Sequence, residues 1–230
     1  MIKVAVSGCN GRMGRRIKSL VEQDPGLELA GAFDIDADPR PAIKNCDVLI
    51  EFTTPEATVK NLAIAKELGK AAVIGTTGLD EKKLKLIKEA ASKISVVFSP
   101  NMAVGVNLLF NLTEKAASVL DKRYSASISE THHVHKKDAP SGTAKKLRGI
   151  IAGARKSHSE EIKVESKRIG EVVGDHTVVF DGKEERIEIT HHAKSRDVFT
   201  RGAIVAAKFA AKKKPGLYSM DEVLGIGQGR

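Results

Sequence analysis

The chain opens on a short apolar run, Ile2–Val6, that passes at once into Ser7-Gly8-Cys9-Asn10-Gly11-Arg12-Met13-Gly14. A strand that turns on glycines into a helix is the first unit of a dinucleotide-binding α/β sheet, and few local patterns constrain a fold as much. Gly8 suits the tight turn, Gly11 lets backbone approach a pyrophosphate, and Gly14 lets helix and strand pack closely. The spacing is G-x-x-G-x-x-G instead of G-x-G-x-x-G. A second apolar run, Leu27–Phe33, ends at Asp34, twenty residues beyond Gly14, where an acid meets a ribose hydroxyl. A plain glycine-rich turn would not need that acid.

The first hundred residues alternate short apolar runs with helical stretches. Strands are expected at 2–7, 27–33, 46–52, 71–75 and 94–98, and helices at 14–24, 55–69 and 80–92. Thr54-Pro55 and Asp80-Glu81 read as helix starts. Buried strands between helices imply a doubly wound parallel sheet. Residues 36–45 read as a tight polar link. Loops that follow strand ends should touch ligand: Gly8–Met13, Gly75-Thr76-Thr77-Gly78, and Ser99-Pro100-Asn101-Met102.

Beyond residue 103 the pattern changes. A helix is expected at 105–120 and another at 143–155, among strands near 124–131, 163–169, 176–180 and 185–191. Alternation such as Ile187-Glu188-Ile189-Thr190 implies a mixed or antiparallel sheet with one open face. Asp181-Gly182 reads as a hairpin turn. Helical stretches at 198–211 and 219–225 return to the first domain. The expected organisation is a Rossmann-like domain over 1–103 completed by 202–230, and a second α+β domain over 104–201.

Composition narrows the classes. The longest apolar runs fall far short of the ~20 residues that span a bilayer. The two cysteines, Cys9 and Cys46, form no C-x-x-C pair, which fits a reducing, cytoplasmic compartment. Net charge is +9, but basic residues are interleaved with acids, and aromatics are 4% with no Trp, so stacking platforms for nucleic acid are scarce. An anionic cofactor and an acidic substrate account for the same charge.

The richest chemistry lies in Glu130-Thr131-His132-His133-Val134-His135-Lys136-Lys137-Asp138-Ala139-Pro140-Ser141-Gly142-Thr143-Ala144. Imidazoles exchange protons near neutral pH, and a lysine donates a proton or holds an anion. The Pro-Ser-Gly-Thr turn opens a helix whose first amides suit a carboxylate. Five histidines (132, 133, 135, 191, 192) also raise a metal site, but His132 and His133 point opposite ways on a strand and no cysteine accompanies them, so no metal is expected. A non-catalytic dinucleotide sensor would not need these proton donors. An acylating aldehyde dehydrogenase would need a mid-chain cysteine. Other two-domain nicotinamide dehydrogenases share the plan.

These residues resemble the 4-hydroxy-tetrahydrodipicolinate reductase (dihydrodipicolinate reductase) family over essentially the whole chain. Glu130–Ala144 matches E-x-H-H-x-x-K-x-D-x-P-S-G-T-A, and Gly8–Gly14 matches G-x-x-G-R-M-G. Gly75–Gly78, Asn101, Arg168-Ile169-Gly170, Gly174-Asp175-His176 and Ser195-Arg196 match further elements. The resemblance implies NADH- or NADPH-dependent reduction of (2S,4S)-4-hydroxy-2,3,4,5-tetrahydrodipicolinate, with loss of water, in lysine and diaminopimelate biosynthesis. It implies His132 as proton donor and acceptor, Lys136 as proton donor, and His133, Gly142 and Thr143 on the substrate. Gly8–Met13, Asp34, Gly75, Thr76, Thr77, Ser99, Pro100, Asn101 and Met102 would surround the cofactor. It further implies a homotetramer with a small dicarboxylate as substrate. Many members carry an arginine after the ribose-binding acid, where this chain has Ile35, which tilts the expectation toward NADH, with Arg12, Arg15 and Arg16 nearby. The chain is also shorter than many relatives near 36–45.

Overall fold

Strand β1 (Ile2–Ser7) turns its residues alternately to two apolar layers, and the rest of the first sheet repeats that division. Val4 and Val6 join Val48, Ile50 and Val73 on one face. Ala5 joins Leu49, Ala72 and Ile74 on the other. In this computed structural model, which describes residues 1–226, the sheet contains β1, β2 (Leu27–Phe33), β3 (Val48–Glu51), β4 (Ala71–Ile74), β5 (Ser95–Phe98) and β10 (Gly216–Tyr218). The order is β10-β5-β4-β3-β1-β2, and every pairing is parallel.

Helices close both faces. One is covered by α1 (Arg12–Gln23), α7 (Asp197–Ala210) and α8 (Met220–Leu224), through residues such as Ile17, Val21, Ala203, Ala207 and Met220. The other is covered by α2 (Arg40–Asn45), α3 (Pro55–Glu67) and α4 (Glu81–Ala91), through Ile43, Leu62, Ala65 and Ile87. Four-residue strands suffice here because β3 and β4 are buried along their whole length, so each apolar side chain counts on one face or the other.

The second sheet contains β6 (Ser125–His132), β7 (Lys163–Arg168), β8 (Asp175–Asp181) and β9 (Arg186–His192), in the order β7-β6-β8-β9. β6 runs parallel to β7 and antiparallel to β8, and β8 is antiparallel to β9. The parallel pair requires a crossover, which α6 (Gly142–Arg155) supplies. α5 (Val104–Val119) leads into this sheet. Its covered face carries Ile128, Val178 and Phe180, and its outward face is mostly polar, with Ser129, Thr177 and Thr190 in register. Two compact units result, Met1–Val104 with the segment from Asp197 onward, and Gly105–Arg196. Of the final stretch expected at 202–230, residues 227–230 lie outside the described residues.

Two sequence expectations need correction, and one strand was not foreseen. Residues 36–45 are not simply a polar link, since Arg40–Asn45 form α2. Pro39 caps it, Pro41 stands in its first turn, and Ile43 is fully buried. Two prolines in ten residues resemble a turn, but proline is also well suited to a helix start. The Asp181-Gly182 pair opens a four-residue loop instead of forming a two-residue turn, because Asp181 pairs with Arg186 and the Gly182 N–H donates to the Glu185 carbonyl at 2.9 Å. The three-residue edge strand β10 was not expected at all, since it is too short to show a period.

Ile43→Ala should cost about 2–5 kcal/mol, the range for emptying a packed site. Urea denaturation measures it. A change below about 0.5 kcal/mol, as at an exposed link, would return 36–45 to the status of a mere connection.

Candidate functional site

The strand order of the first sheet reverses between β1 and β3, and at such a switch point the carboxyl ends of the strands leave a crevice. A pocket of about 420 Å³ lies there, lined among others by Ser7, Gly8, Asp34, Ile35, Thr53 and Lys60. Gly8 adopts φ +67°, and a Cβ on Gly14 would stand 2.1 Å from the Gly8 carbonyl oxygen, so neither position admits another residue without distortion. Gly11 caps α1 without a side-chain hydrogen bond, and the first turn carries no acid. Its amides and dipole are left to an incoming anion.

Asp34 lies half-buried beside that turn. Its carboxylate accepts the N–H groups of Asn10 and Ile35, each at 2.9 Å, and these bonds hold its pKa below the usual carboxylate range. An ionised carboxylate fixed to the glycine loop retains lone pairs for vicinal hydroxyls. Ile35 is 90% exposed, and Arg12 and Arg15 are exposed as well. Arg16 is committed elsewhere, to Asp197 of α7 at 2.7 and 2.5 Å. Lys60 on α3 is the pocket-lining cation that the sequence pattern did not reveal, because it sits on a helix and not in a strand-end loop.

The other expected cofactor residues divide by orientation. Thr76 is buried, and its hydroxyl oxygen accepts the Thr53 N–H at 3.1 Å and the Thr58 hydroxyl at 2.8 Å. Thr77 is exposed, while a Cβ on Gly75 would strike the Phe52 ring. Ser99 donates to the Asn101 carbonyl at 2.8 Å, Pro100 is exposed, and the Asn101 side chain accepts the Ala103 N–H at 2.9 Å. Met102 is 1% exposed and packs in the core. Thr76 and Met102 therefore offer backbone, not side chain, to any ligand. Cys9 is half-buried and Met13 packs partly on the core. Beneath these loops Glu51 is buried, accepting from Thr53 and from Asn61 at 2.9 Å, and burial raises its pKa.

The second unit gathers the proton-bearing residues at the end of β6. Glu130 and His132 are two residues apart and thus share the covered face. The Glu130 carboxylate meets His132 Nδ1, receives Arg168 Nη1 and Nη2 at 3.2 and 3.1 Å, and accepts the Ser141 N–H at 3.2 Å. Burial alone would raise the Glu130 pKa, but hydrogen bonds from Arg168, Ser166 and His132 outweigh it and hold it low. Burial lowers the His132 pKa, and Glu130 opposes that shift. Lys136 follows in a turn, with its Nζ 2.7 Å from Asp138, which it holds ionised. It also lies close enough to His132 to oppose a charge there. His133 is half-buried beside His135, ring centroids 6.1 Å apart.

Ser141 caps α6, accepting the Ala144 N–H at 3.2 Å. The first turn of α6 holds no acid, and open space surrounds Gly142. Gly142 thus opens a helix start with free space before it, one residue after Ser141, which Glu130 ties to the His132 imidazole. His176 stacks edge-on against His132, with centroids 5.1 Å apart, and its Nε2 lies 3.3 Å from the Ser141 hydroxyl. Glu130, His132 and His176 bring three potential metal ligands within 4.8 Å. The donor set does not fit a cation, because Arg168 already occupies the carboxylate and its charge would repel the ion. Sequence reasoning left Glu130, Arg168 and His176 out of the site, although all three stand in the motifs it used.

The family descriptions "Dihydrodipicolinate reductase, N-terminus" and "C-terminus" match residues 2–102 and 105–224. A 4-hydroxy-tetrahydrodipicolinate reductase of Aromatoleum aromaticum is 41% identical, covering 98% of this chain and 96% of its own length. One of Citrifermentans bemidjiense is 38% identical, at 98% and 100% coverage. A dipicolinate-bound dihydrodipicolinate reductase of Paenisporosarcina sp. TG-14 shares the fold with a TM-score of 0.85, at 24% identity, covering 96% of this chain and 98% of that one.

Burial pushes the His176 pKa down from 6.5 to about 3. Below pH 6.5 the unfolded chain takes up this proton and the folded one does not, so the folded state loses stability as pH falls from about 6.5 toward 3. The amount is on the order of a few kcal/mol. His176→Gln should therefore cost less stability at pH 4.5 than at pH 7.5 in urea denaturation. An equal cost at both pH values would show that His176 titrates normally in the folded chain.

Proposed function

The chain belongs to the dihydrodipicolinate reductase family, and on that footing we propose that the α1 turn and Asp34 hold a nicotinamide dinucleotide while His132, Lys136 and the start of α6 act on a small cyclic dicarboxylate. It is an NAD(P)H-dependent oxidoreductase of lysine biosynthesis, and the reaction is reduction of 4-hydroxy-tetrahydrodipicolinate to tetrahydrodipicolinate. The single observation that carries the residue assignment is the convergence, inside one unit, of an imidazole, a lysine and an acid-free helix start opening to space.

The residues fit the cofactor. The pyrophosphate would meet the amides of Gly8–Met13, and Asp34 would accept from the ribose hydroxyls. Backbone of Gly75–Thr77 and Ser99–Met102 would face the remainder. A reduced nicotinamide held by these residues would supply the hydride. Gly142 and Thr143 would hold one substrate carboxylate with backbone N–H groups, and Thr143 adds its hydroxyl. His133 would contact the substrate from the other side of the strand end. Lys136 would deliver a proton, kept in place by Asp138, while His132 would accept and return one.

The same reading has the protein working in the cytoplasm as a homotetramer, with no nucleic-acid or membrane partner. In support, no helix among the described residues is long and apolar enough to cross a membrane, both cysteines are free thiols, and the second sheet presents an uncovered polar face. Light scattering of the purified protein tests the tetramer.

Activity is measured by the absorbance of reduced nicotinamide, with substrate formed in situ from pyruvate and aspartate semialdehyde. Lys136→Ala should lose about 100- to 10,000-fold in turnover and keep cofactor affinity. Near-normal turnover would remove Lys136 from the chemistry. Separately, Asp34 and Ile35 predict a modest preference for NADH, since the Asp34 charge repels a 2′-phosphate while Arg12 and Lys60 offer partial compensation. A strong preference for NADPH in kcat/KM would overturn that assignment.

A further inference from the structure

We infer that Glu130, held by Arg168, is the positioning residue that fixes the imidazole of His132 and aligns it with the lysine loop and the start of α6. This rests on the role proposed above for His132 and gives that role a structural cause.

Three features separate Glu130 from an ordinary buried acid. First, its carboxylate is 1% exposed and yet has charged or N–H partners on both oxygens. Burying a charge so completely is costly unless each lone pair is answered, so the arrangement is specific. Second, it meets Nδ1 of His132, which makes Nδ1 the N–H side and leaves Nε2 to take up and release the proton. The tautomer follows from the acceptor, since an ionised carboxylate cannot donate. Room for Nε2 comes from Gly174, where a Cβ would stand 3.0 Å away. Third, the pair reaches the other two parts of the site. Glu130 accepts the N–H of Ser141, one residue before Gly142. Arg168 donates from Nε to the Lys136 carbonyl at 3.2 Å and from Nη2 to the Asp138 carbonyl, so it grips both ends of the loop that carries Lys136.

The sheet explains why these two residues meet. β6 and β7 are parallel, with Glu130 opposite Ser166 and His132 opposite Arg168. Arg168 thus extends along the covered face past His132 toward Glu130. Its cation keeps the carboxylate ionised, and the carboxylate in turn favours the imidazolium that forms when Nε2 is protonated.

Glu130→Gln keeps the shape and removes the charge. The full-length variant should bind NADH normally, keep KM for substrate within a few-fold, and lose about 100-fold or more in kcat. The limb of the pH–kcat profile that belongs to His132 should move to lower pH, because the imidazolium loses its carboxylate. Combining it with His132→Gln should add little to His132→Gln alone, since one residue acts through the other. A folded Glu130→Gln with nearly normal kcat and an unmoved limb would overturn the inference. If in addition His132→Gln keeps normal turnover, the proposed role of His132 fails too, whereas a crippled His132→Gln beside a normal Glu130→Gln leaves that role standing and sinks only Glu130. Should Glu130→Gln not fold, nitrogen-15 imidazole shifts of the wild-type protein decide. Neutral His132 is expected to carry its proton on Nδ1, and the Nε2–H form would overturn the inference.

Discussion

A helix begins with amide hydrogens that its own turns cannot satisfy, and both units are organised around such a start. In α3, α4, α7 and α8 an acidic side chain stands in the first turn and answers the dipole. In α1, α2, α5 and α6 none does, and of these α1 and α6 begin at the residues proposed above to meet ligand. Omitting a favourable local charge costs a few tenths to about 1 kcal/mol. It leaves a positive helix end facing space in each unit, one suited to a pyrophosphate and the other to a carboxylate.

How much of this was legible in the sequence depended on the range of the determining interaction. β1 and the glycine turn were readable because strand and loop are adjacent in sequence, and Asp34 because one strand–helix–strand unit sets its spacing from the glycines. The helix α2 was not, since six residues that include a proline and follow another show no period, and only the burial of Ile43 reveals a helix. β10 exists because Gly216–Tyr218 pairs with Ser95–Val97, a contact between segments 121 positions apart that three residues cannot announce.

The site divides the same way. In the candidate site, His132, Lys136, Gly142 and Thr143 stood out through chemistry concentrated in fifteen residues. Glu130 stood in the same stretch, but an acid on a strand is ordinary until its partners are known. Its meaning comes from Arg168, thirty-eight positions away and brought near only by parallel pairing. Conversely, the composition of the loops could not say which side chains face inward. Thr76 and Met102 are small or flexible residues at strand ends, and only the packing sends them into the interior.

The return of the chain in α7 and β10 has a consequence for synthesis. The face of the first sheet formed by Val4, Val6, Val48 and Ile50 is covered by Ala203, Ala206, Ala207 and Ala210, and Arg16 waits for Asp197. On a ribosome, residues 1–104 emerge first and cannot complete their core. Gly105–Arg196, made later, is finished earlier, because all its strands are already in hand. For roughly the time needed to add a hundred residues, some 5 to 20 s, the nascent chain carries an apolar face that α1 covers only in part. The interval in which this protein most needs a chaperone is therefore set by the length of its inserted unit.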